Sequence, residues 1–389
     1  MLSDDNAVEN IHGRLIIMFK FGSLKKKVLA TCAAAAIGFS LTFGAPATAS
    51  ASLAEDLIVI GINSAALSTQ VNAQIKHFNE TDAGRQELYG EFQKKYGVNE
   101  DPTYNAMLDR IMANLTKGVA VADPTVKEKP YKYFISNDET LNAACSMGHV
   151  MMVNVGTFKL VPNEDEIAAI VGHEMGHGQK DHVAKGNKKV VTKYIIANVA
   201  GAAAGATIGG GAITSVITQL AFNHSVAHGT KKQESEADTL GMDYMLNTNY
   251  NPGACAAIMQ KFVEMESGHK RSAMEKFFNP SDHPGSDKRR DAYVKRLYEY
   301  SGKHVTAENG VVTINKKNFI KVAPAGGMSS AERSYFILGN LAVAYHKGLN
   351  KQEATVQNGI VMLGNQPIIE PAEGDEDAYT IAERLNSIK

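Results

Sequence analysis

The chain has 389 residues, enough for a large buried core and for one domain of ordinary bulk with a smaller appendix. Lysine and arginine number 40 against 41 for aspartate and glutamate, a formal charge of -1, and no long run of one sign offers a footprint for a polyanion. The composition therefore argues against a nucleic-acid partner.

The first fifty residues read as an export signal. Lys25, Lys26 and Lys27 form a basic start, Val28 to Phe43 an apolar stretch, and Ala47-Thr48-Ala49 a small-residue cleavage site. Met18 makes a more ordinary start than Met1, because Asp4, Asp5 and Glu9 precede the lysines. Cys32 follows a short apolar box, as in lipoproteins, but Thr31 before it and the nearby lysines oppose lipidation. Cleavage near Ala49 or Ala51 predicts an exported protein of the periplasm or cell envelope. Of the remaining cysteines, Cys145 and Cys255, the sequence leaves open whether they pair.

From Ala54 to Lys95 apolar residues recur at helical spacing, and Gly97 ends the pattern. Asp101-Pro102 opens a second helix through Leu115, with Tyr104, Met107, Leu108, Ile111 and Met112 inward. Tyr131–Ile135 and His149–Val155 read as short strands. A helix begins at Asn163, whose side chain suits a cap, with Glu164, Asp165 and Glu166 in its first turn, and runs into His173. Residues 194–230 carry no Lys, Arg, Asp or Glu. The run is mostly Ala and Gly, is broken by Gly209-Gly210-Gly211, and holds Asn198 and Gln219, so it reads as close-packing helix rather than a membrane span. Peripheral membrane association stays open.

Beyond Arg290 a helix runs to Tyr300, Val311–Ile314 is a strand, Gly326-Gly327 a loop, and Ser330 to His346 a helix. Short strands around Val356 and Val361 precede a helix from Ala378 to Ile388. The organisation predicted is an N-terminal extension and signal over 1–49, a main domain over 50–305, and a small α+β domain of open role over 306–389.

His173-Glu174-Met175-Gly176-His177 carries the chemistry. Residues i and i+4 of a helix share a face, so both imidazoles reach one metal ion while Glu174 points to the adjoining side. Gly172, Gly176 and Gly178 each cost about 1 kcal/mol against Ala in a helix, which close packing or a ligand must offset. A catalytic zinc takes three protein ligands and an open position. The HExxHxxGxxH arrangement is excluded, because Lys180 and Val183 stand at its Gly and His positions. His182 lies five residues after His177, off the metal-facing side of a straight helix, and reads as a surface or supporting histidine. Glu234-Ser235-Glu236-Ala237-Asp238 opens another amphipathic helix. There Glu234 is a candidate third ligand, and Asp238, one turn on, can hydrogen-bond a ligand imidazole. In His283-Pro284-Gly285-Ser286-Asp287-Lys288-Arg289 a His or Arg near the metal can donate to an oxyanion.

The three strings HEMGH, ESEAD and HPGSDKR, in that order, resemble peptidase family forty-eight, the HtpX and CAAX prenyl protease type of metallopeptidase. The resemblance spans about residues 80 to 300 and includes Gly97-Val98-Asn99-Glu100-Asp101-Pro102 and Asn142-Ala143 ahead of Gly148. It implies one Zn2+ per chain held by His173, His177 and Glu234, Glu174 as general base, and His283 and Arg289 beside the metal. It also implies a mostly helical gluzincin-type α+β fold, with Asn142 on the substrate side. The edge strand of its small sheet, at His149–Val155 with Met151 and Val153, would take up an extended substrate by its backbone. Where the family shows Asn-Ala-Phe before Pro-Gly-Gly, this chain has Asn142-Ala143-Ala144-Cys145-Ser146-Met147-Gly148, which leaves the substrate rim open. The implied activity is endopeptidase cleavage of unfolded or misassembled exported proteins in envelope quality control. The rival is a latent or pseudo-enzymatic chaperone whose metal is closed by His283, against which stands the retained Glu174. The oligomeric state is not legible.

Overall fold

The computed structural model describes residues 64–199, 217–218, 230–267 and 285–389; the export signal, much of the uncharged run and His283 fall outside the described residues. The chain divides into one unit of residues 1–72 and 190–216 and another of 73–189 and 217–389, and the second holds all three sheets together with the HEMGH and ESEAD strings.

Helices α1 (Ser64–Glu80) and α2 (Asp82–Tyr96) take up the helical stretch that the periodicity predicts. Between them Thr81 caps α2 by accepting the Gly84 amide on its Oγ1, and Gly97, at φ +69°, ends it. Helix α3 (Pro102–Ala122) starts on Asp101, whose carboxylate accepts from the Thr103 and Tyr104 amides, and continues past Leu115.

Strands β1 (Lys132–Ser136), β2 (Ala143–Cys145) and β3 (Val150–Asn154) form a mixed sheet in the order β1-β3-β2. The strand expected at the sheet edge is thus the central one. It pairs parallel with β1 and antiparallel with β2, a three-residue strand too short to show an alternating pattern. Met151 and Val153 are fully buried and paired on both sides by these neighbours, so neither can receive a substrate backbone. The edges are β1 and β2.

After α4 (Val155–Leu160), helix α5 (Glu164–Gln179) begins as predicted, with the Asn163 side chain accepting the Glu166 amide. Asp181, at φ +50°, separates it from α6 (His182–Val199). Helix α7 (Lys231–Leu246) starts on a Thr230 cap, a turn ahead of the expected acidic start. Helices α8 (Ala254–Ser267) and α9 (Ser286–Tyr300) follow, the first of them without a counterpart among the sequence expectations. Among the described residues no helix is long and apolar enough to cross a membrane. Cys145 and Cys255 are both free and buried, so the pair left open by the sequence is not made.

The glycines of the motif helix have a packing role. A Cβ on Gly176 would stand 2.9 Å from the Ala237 carbonyl oxygen, and one on Gly241 would stand 2.8 Å from the His173 nitrogen. Helices α5 and α7 therefore touch backbone to backbone, which offsets the poor helix propensity of Gly172 and Gly176.

The segment after Ser301 repeats itself. The meander β4 (Val305–Glu308), β5 (Val311–Ile314), β6 (Lys317–Lys321) leads into α10 (Ser330–His346), and β7 (Ala354–Gln357), β8 (Ile360–Leu363), β9 (Gln366–Ile369) leads into α11 (Ala378–Ile388). Both first turns are Asn-Gly with positive φ, Asn309-Gly310 and Asn358-Gly359, the two-residue hairpin turn that matches strand twist. Both middle strands carry a register shift at the same place, after Val312 and after Val361. Helix α10 packs on its own β4 and β5 and on β9 of the second copy; α11 packs on β7 and β8 and on β6 of the first. One buried core runs from Leu108 in α3 to Leu385 in α11.

Candidate metal centre

Helix α5 presents His173 and His177 on one face, and its glycine contact with α7 brings Glu234 opposite them. The Nε2 atoms of the two histidines lie 3.1 Å apart. Glu234 Oε2 is 3.5 Å from His173 Nε2, and Oε1 is 3.4 Å from His177 Nε2. Ligand bonds of about 2.0–2.1 Å in a tetrahedron put ligand atoms about 3.3 Å apart, so the three donors fit one small ion. Among the described residues this is the one group of three or more His, Cys, Asp or Glu side chains whose donor atoms converge this closely.

Asp238 fixes the tautomer of a neutral His173. His173 Nδ1 is 2.9 Å from Asp238 Oδ1, and a carboxylate there requires the proton on Nδ1. His177 Nδ1 is 2.9 Å from His182 Nδ1. A neutral His173 so protonated turns its Nε2 lone pair toward His177 Nε2, and a cation between the two nitrogens would be held by both. Without the ion, burial and the Arg289 charge lower the His173 pKa, but hydrogen bonds to Asp238 and Glu234 outweigh them and hold it up at about 9. A metal ion bound at Nε2 would compete with that proton.

Asp238 is held in turn. Arg289 donates to it from Nε at 2.9 Å and from Nη2 at 2.5 Å, and the Tyr293 hydroxyl donates at 2.7 Å. Burial raises the Asp238 pKa, yet Arg289 and His173 bring it far below the ordinary carboxylate range. Arg289 was expected to face the oxyanion; instead its Nη2 is 3.2 Å from His173 Nδ1, on the side of the ring away from the metal-facing Nε2. It backs the His173 ring from behind, because Asp238 draws its guanidinium into the core. Tyr293 was missed, although it stands one helical turn after Arg289.

Glu174 is 6% exposed, with Oε2 accepting the Cys145 amide at 3.0 Å. The bonds from Asn154 N–H to Asn142 O and from Ser146 N–H to Val150 O frame β2. In that register Ala144 faces β3, while Ala143 and Cys145 aim N–H and C=O outward. The β2 edge of the sheet and the motif carboxylate thus meet at Cys145, a residue the sequence singled out only for a possible pairing and as a departure from a pattern.

Asn142 stands just ahead of that edge, its amide donating to Thr157 Oγ1 at 3.0 Å. His149 is at φ +56°, stacks on Tyr131 at 4.4 Å between ring centroids, and places Nδ1 2.7 Å from the Lys129 carbonyl oxygen. Burial and the Lys129 charge lower its pKa to about 4. It is a packed turn residue rather than a substrate contact.

The family model described as "Peptidase family M48" matches residues 102–296. Metalloprotease LoiP of Escherichia coli (strain K12) is 28% identical over 159 residues, 41% of this chain and 59% of that protein. The beta-barrel assembly-enhancing protease of Escherichia coli O157:H7 is 22% identical over 250 residues, 63% of this chain and 47% of its own length. Mitochondrial metalloendopeptidase OMA1 of Schizosaccharomyces pombe is 25% identical over 216 residues, 55% of this chain and 59% of the relative. The chain thus spans about half to three-fifths of the relatives it matches.

Proposed function

Because the chain belongs to peptidase family M48, we propose that it is a zinc-dependent endopeptidase of gluzincin type, exported to the cell envelope, where it cuts unfolded or misassembled proteins. The observation that carries this reading is the convergence of His173 Nε2, His177 Nε2 and a Glu234 carboxylate oxygen within 4.8 Å, with Glu174 one residue along the same helix. Relatives named as a metalloprotease, a beta-barrel assembly-enhancing protease and a metalloendopeptidase support the substrate class, and the basic and apolar start of the sequence supports export.

His173, His177 and Glu234 would hold the ion. Bound there, zinc supplies Lewis acidity to a water molecule and to the scissile carbonyl. The chain's own residues do the rest. An extended peptide pairs with the outward groups of Ala143 on β2, so that selection falls on backbone more than on side chains. The Cys145 amide holds one oxygen of Glu174 beside that edge. Glu174 accepts a proton from the attacking water and returns it to the leaving amine. Asp238, clamped by Arg289 and Tyr293, keeps the His173 lone pair on the metal side.

The test is Glu174→Gln in the purified mature protein. Stoichiometric zinc with cleavage of unfolded casein reduced to background is the expected result, because the amide cannot take the proton. Casein cleavage at the parent rate would refute the assignment.

A further inference from the structure

We infer that His182 and Glu236 form a relay that positions the metal ligand His177. The inference rests on the proposed ligand role of His177 and adds two residues to it.

On a straight helix a residue five places after His177 points well away from it. The chain defeats that rule at Asp181, a non-glycine residue in the left-handed region at φ +50°. This conformation costs about 1 kcal/mol or more and persists only when its surroundings hold it. They do: Asp181 Oδ1 accepts from Asn79 Nδ2 at 3.0 Å and from Lys129 Nζ at 3.1 Å. The bend ends α5, starts α6 in a new direction and turns His182 back onto the helix it has just left. His182 is 2% exposed, and its ring meets that of His177 edge to face, with centroids 4.9 Å apart.

Proton accounting then allows one arrangement. A His177 that gives its Nε2 lone pair to a metal carries its proton on Nδ1, so the Nδ1 of His182, 2.9 Å away, must be the acceptor. The proton of neutral His182 then sits on Nε2, which is 3.3 Å from Glu236 Oε2. Glu236 selects this tautomer because a carboxylate can only accept. His173 is backed by a carboxylate and His177 by a neutral imidazole that a carboxylate orients. All three acids of the Glu234–Asp238 string are thereby assigned: Glu234 faces the metal, Asp238 backs His173, and Glu236 backs His182.

The test measures zinc affinity by chelator competition and the visible spectrum of the cobalt-substituted protein, in the parent and in His182→Ala, His182→Asn, Glu236→Ala and Glu234→Ala. Removing a group that orients a ligand imidazole lowers metal affinity about 10–100-fold, and His182→Ala should fall in that range with a shifted cobalt spectrum. His182→Asn, which restores an acceptor near the Nδ1 position, should recover most of the loss. Glu236→Ala, at a half-exposed side chain, should lose less than His182→Ala and keep the fold. Parent-like affinity and spectrum in His182→Ala, or no recovery in His182→Asn, overturns the relay. If His182→Ala does not fold, Glu236→Ala decides, and parent-like values there overturn the relay. Loss of metal in Glu234→Ala alone leaves the site reading standing without the relay; a parent protein that takes up no zinc removes both.

Discussion

Replacing Gly241 by alanine tests whether helix contact sets the metal site. The new Cβ would stand 2.8 Å from the His173 nitrogen and 2.9 Å from the Gly172 carbonyl carbon. Ordinary contacts there are about 3.5–4.0 Å, and neither neighbour is a side chain that can rotate aside. Helices α5 and α7 must therefore part by roughly 0.5–1 Å, several times the tolerance of about 0.2 Å on a metal-ligand bond. Alanine gains about 1 kcal/mol of helix propensity, whereas overpacking costs about 1–3 kcal/mol, so stability should fall by about 0–2 kcal/mol. Metal binding should suffer more, because Glu234 and the histidines sit on opposite sides of the widened contact, and a drop in zinc affinity of at least tenfold is expected. Chelator competition and thermal denaturation with and without zinc measure both. Parent-like zinc affinity, or a metal-free Tm raised by the full propensity gain, would show that the contact does not set the ligand spacing.

Arg289→Lys replaces a two-pronged grip on Asp238 with one contact, and should cost about 1.5–3 kcal/mol by the scale for a charge-assisted hydrogen bond; urea unfolding of the metal-free protein at parent stability would contradict the role given to Arg289. Glu166 is wholly buried, with no hydrogen bond to its carboxylate oxygens among the described residues, and burial, only partly opposed by Lys261 with Nζ 3.6 Å away, raises its pKa to about 7. A carboxyl whose folded pKa exceeds its unfolded value stabilises fully below about pH 4.5, and that contribution is lost as pH rises through about 7. At about 1.4 kcal/mol per unit the change is at most about 3.5 kcal/mol. The urea midpoint of the parent should fall over this window more than that of Glu166→Gln, and identical slopes would place the proton elsewhere.

The parts of the fold that were legible in the sequence are those fixed by neighbours along the chain. Asn163 with three acids after it marks the start of α5, and the ends of α10 and α11 follow from apolar spacing. The histidine pair could be proposed because helical geometry converts sequence spacing into a shared face, whereas Glu234, on a separate helix, was settled on only through the resemblance to a family. Strand β2 could not be seen, since Ala143, Ala144 and Cys145 are alike in polarity and carry no alternation. Whether β3 lies at the centre or the edge of the sheet depends on that hidden partner. Whether His182 lay on the surface or supported the site could not be decided from spacing, because the bend before it uses an aspartate where a glycine would have signalled a turn. The repeated meander is written in Thr306-Ala307-Glu308-Asn309-Gly310-Val311-Val312 against Thr355-Val356-Gln357-Asn358-Gly359-Ile360-Val361, but the substitutions between the copies leave only the Asn-Gly turns and the second valine in common beyond the leading threonine.

That repeat has a consequence for how the chain can be shortened. Each helix closes over a strand of the opposite copy, so the first copy cannot bury its apolar surface until the second has been synthesised. A chain stopped between Gly348 and Ala354 would leave the face of α10 meant for β9, and the β6 surface meant for α11, open to water. Two such shortened chains could satisfy each other by exchanging what the intact chain exchanges with itself. The carboxyl-terminal segment is in this sense a dimer carried on one polypeptide, and its last helix belongs as much to the first copy as to its own.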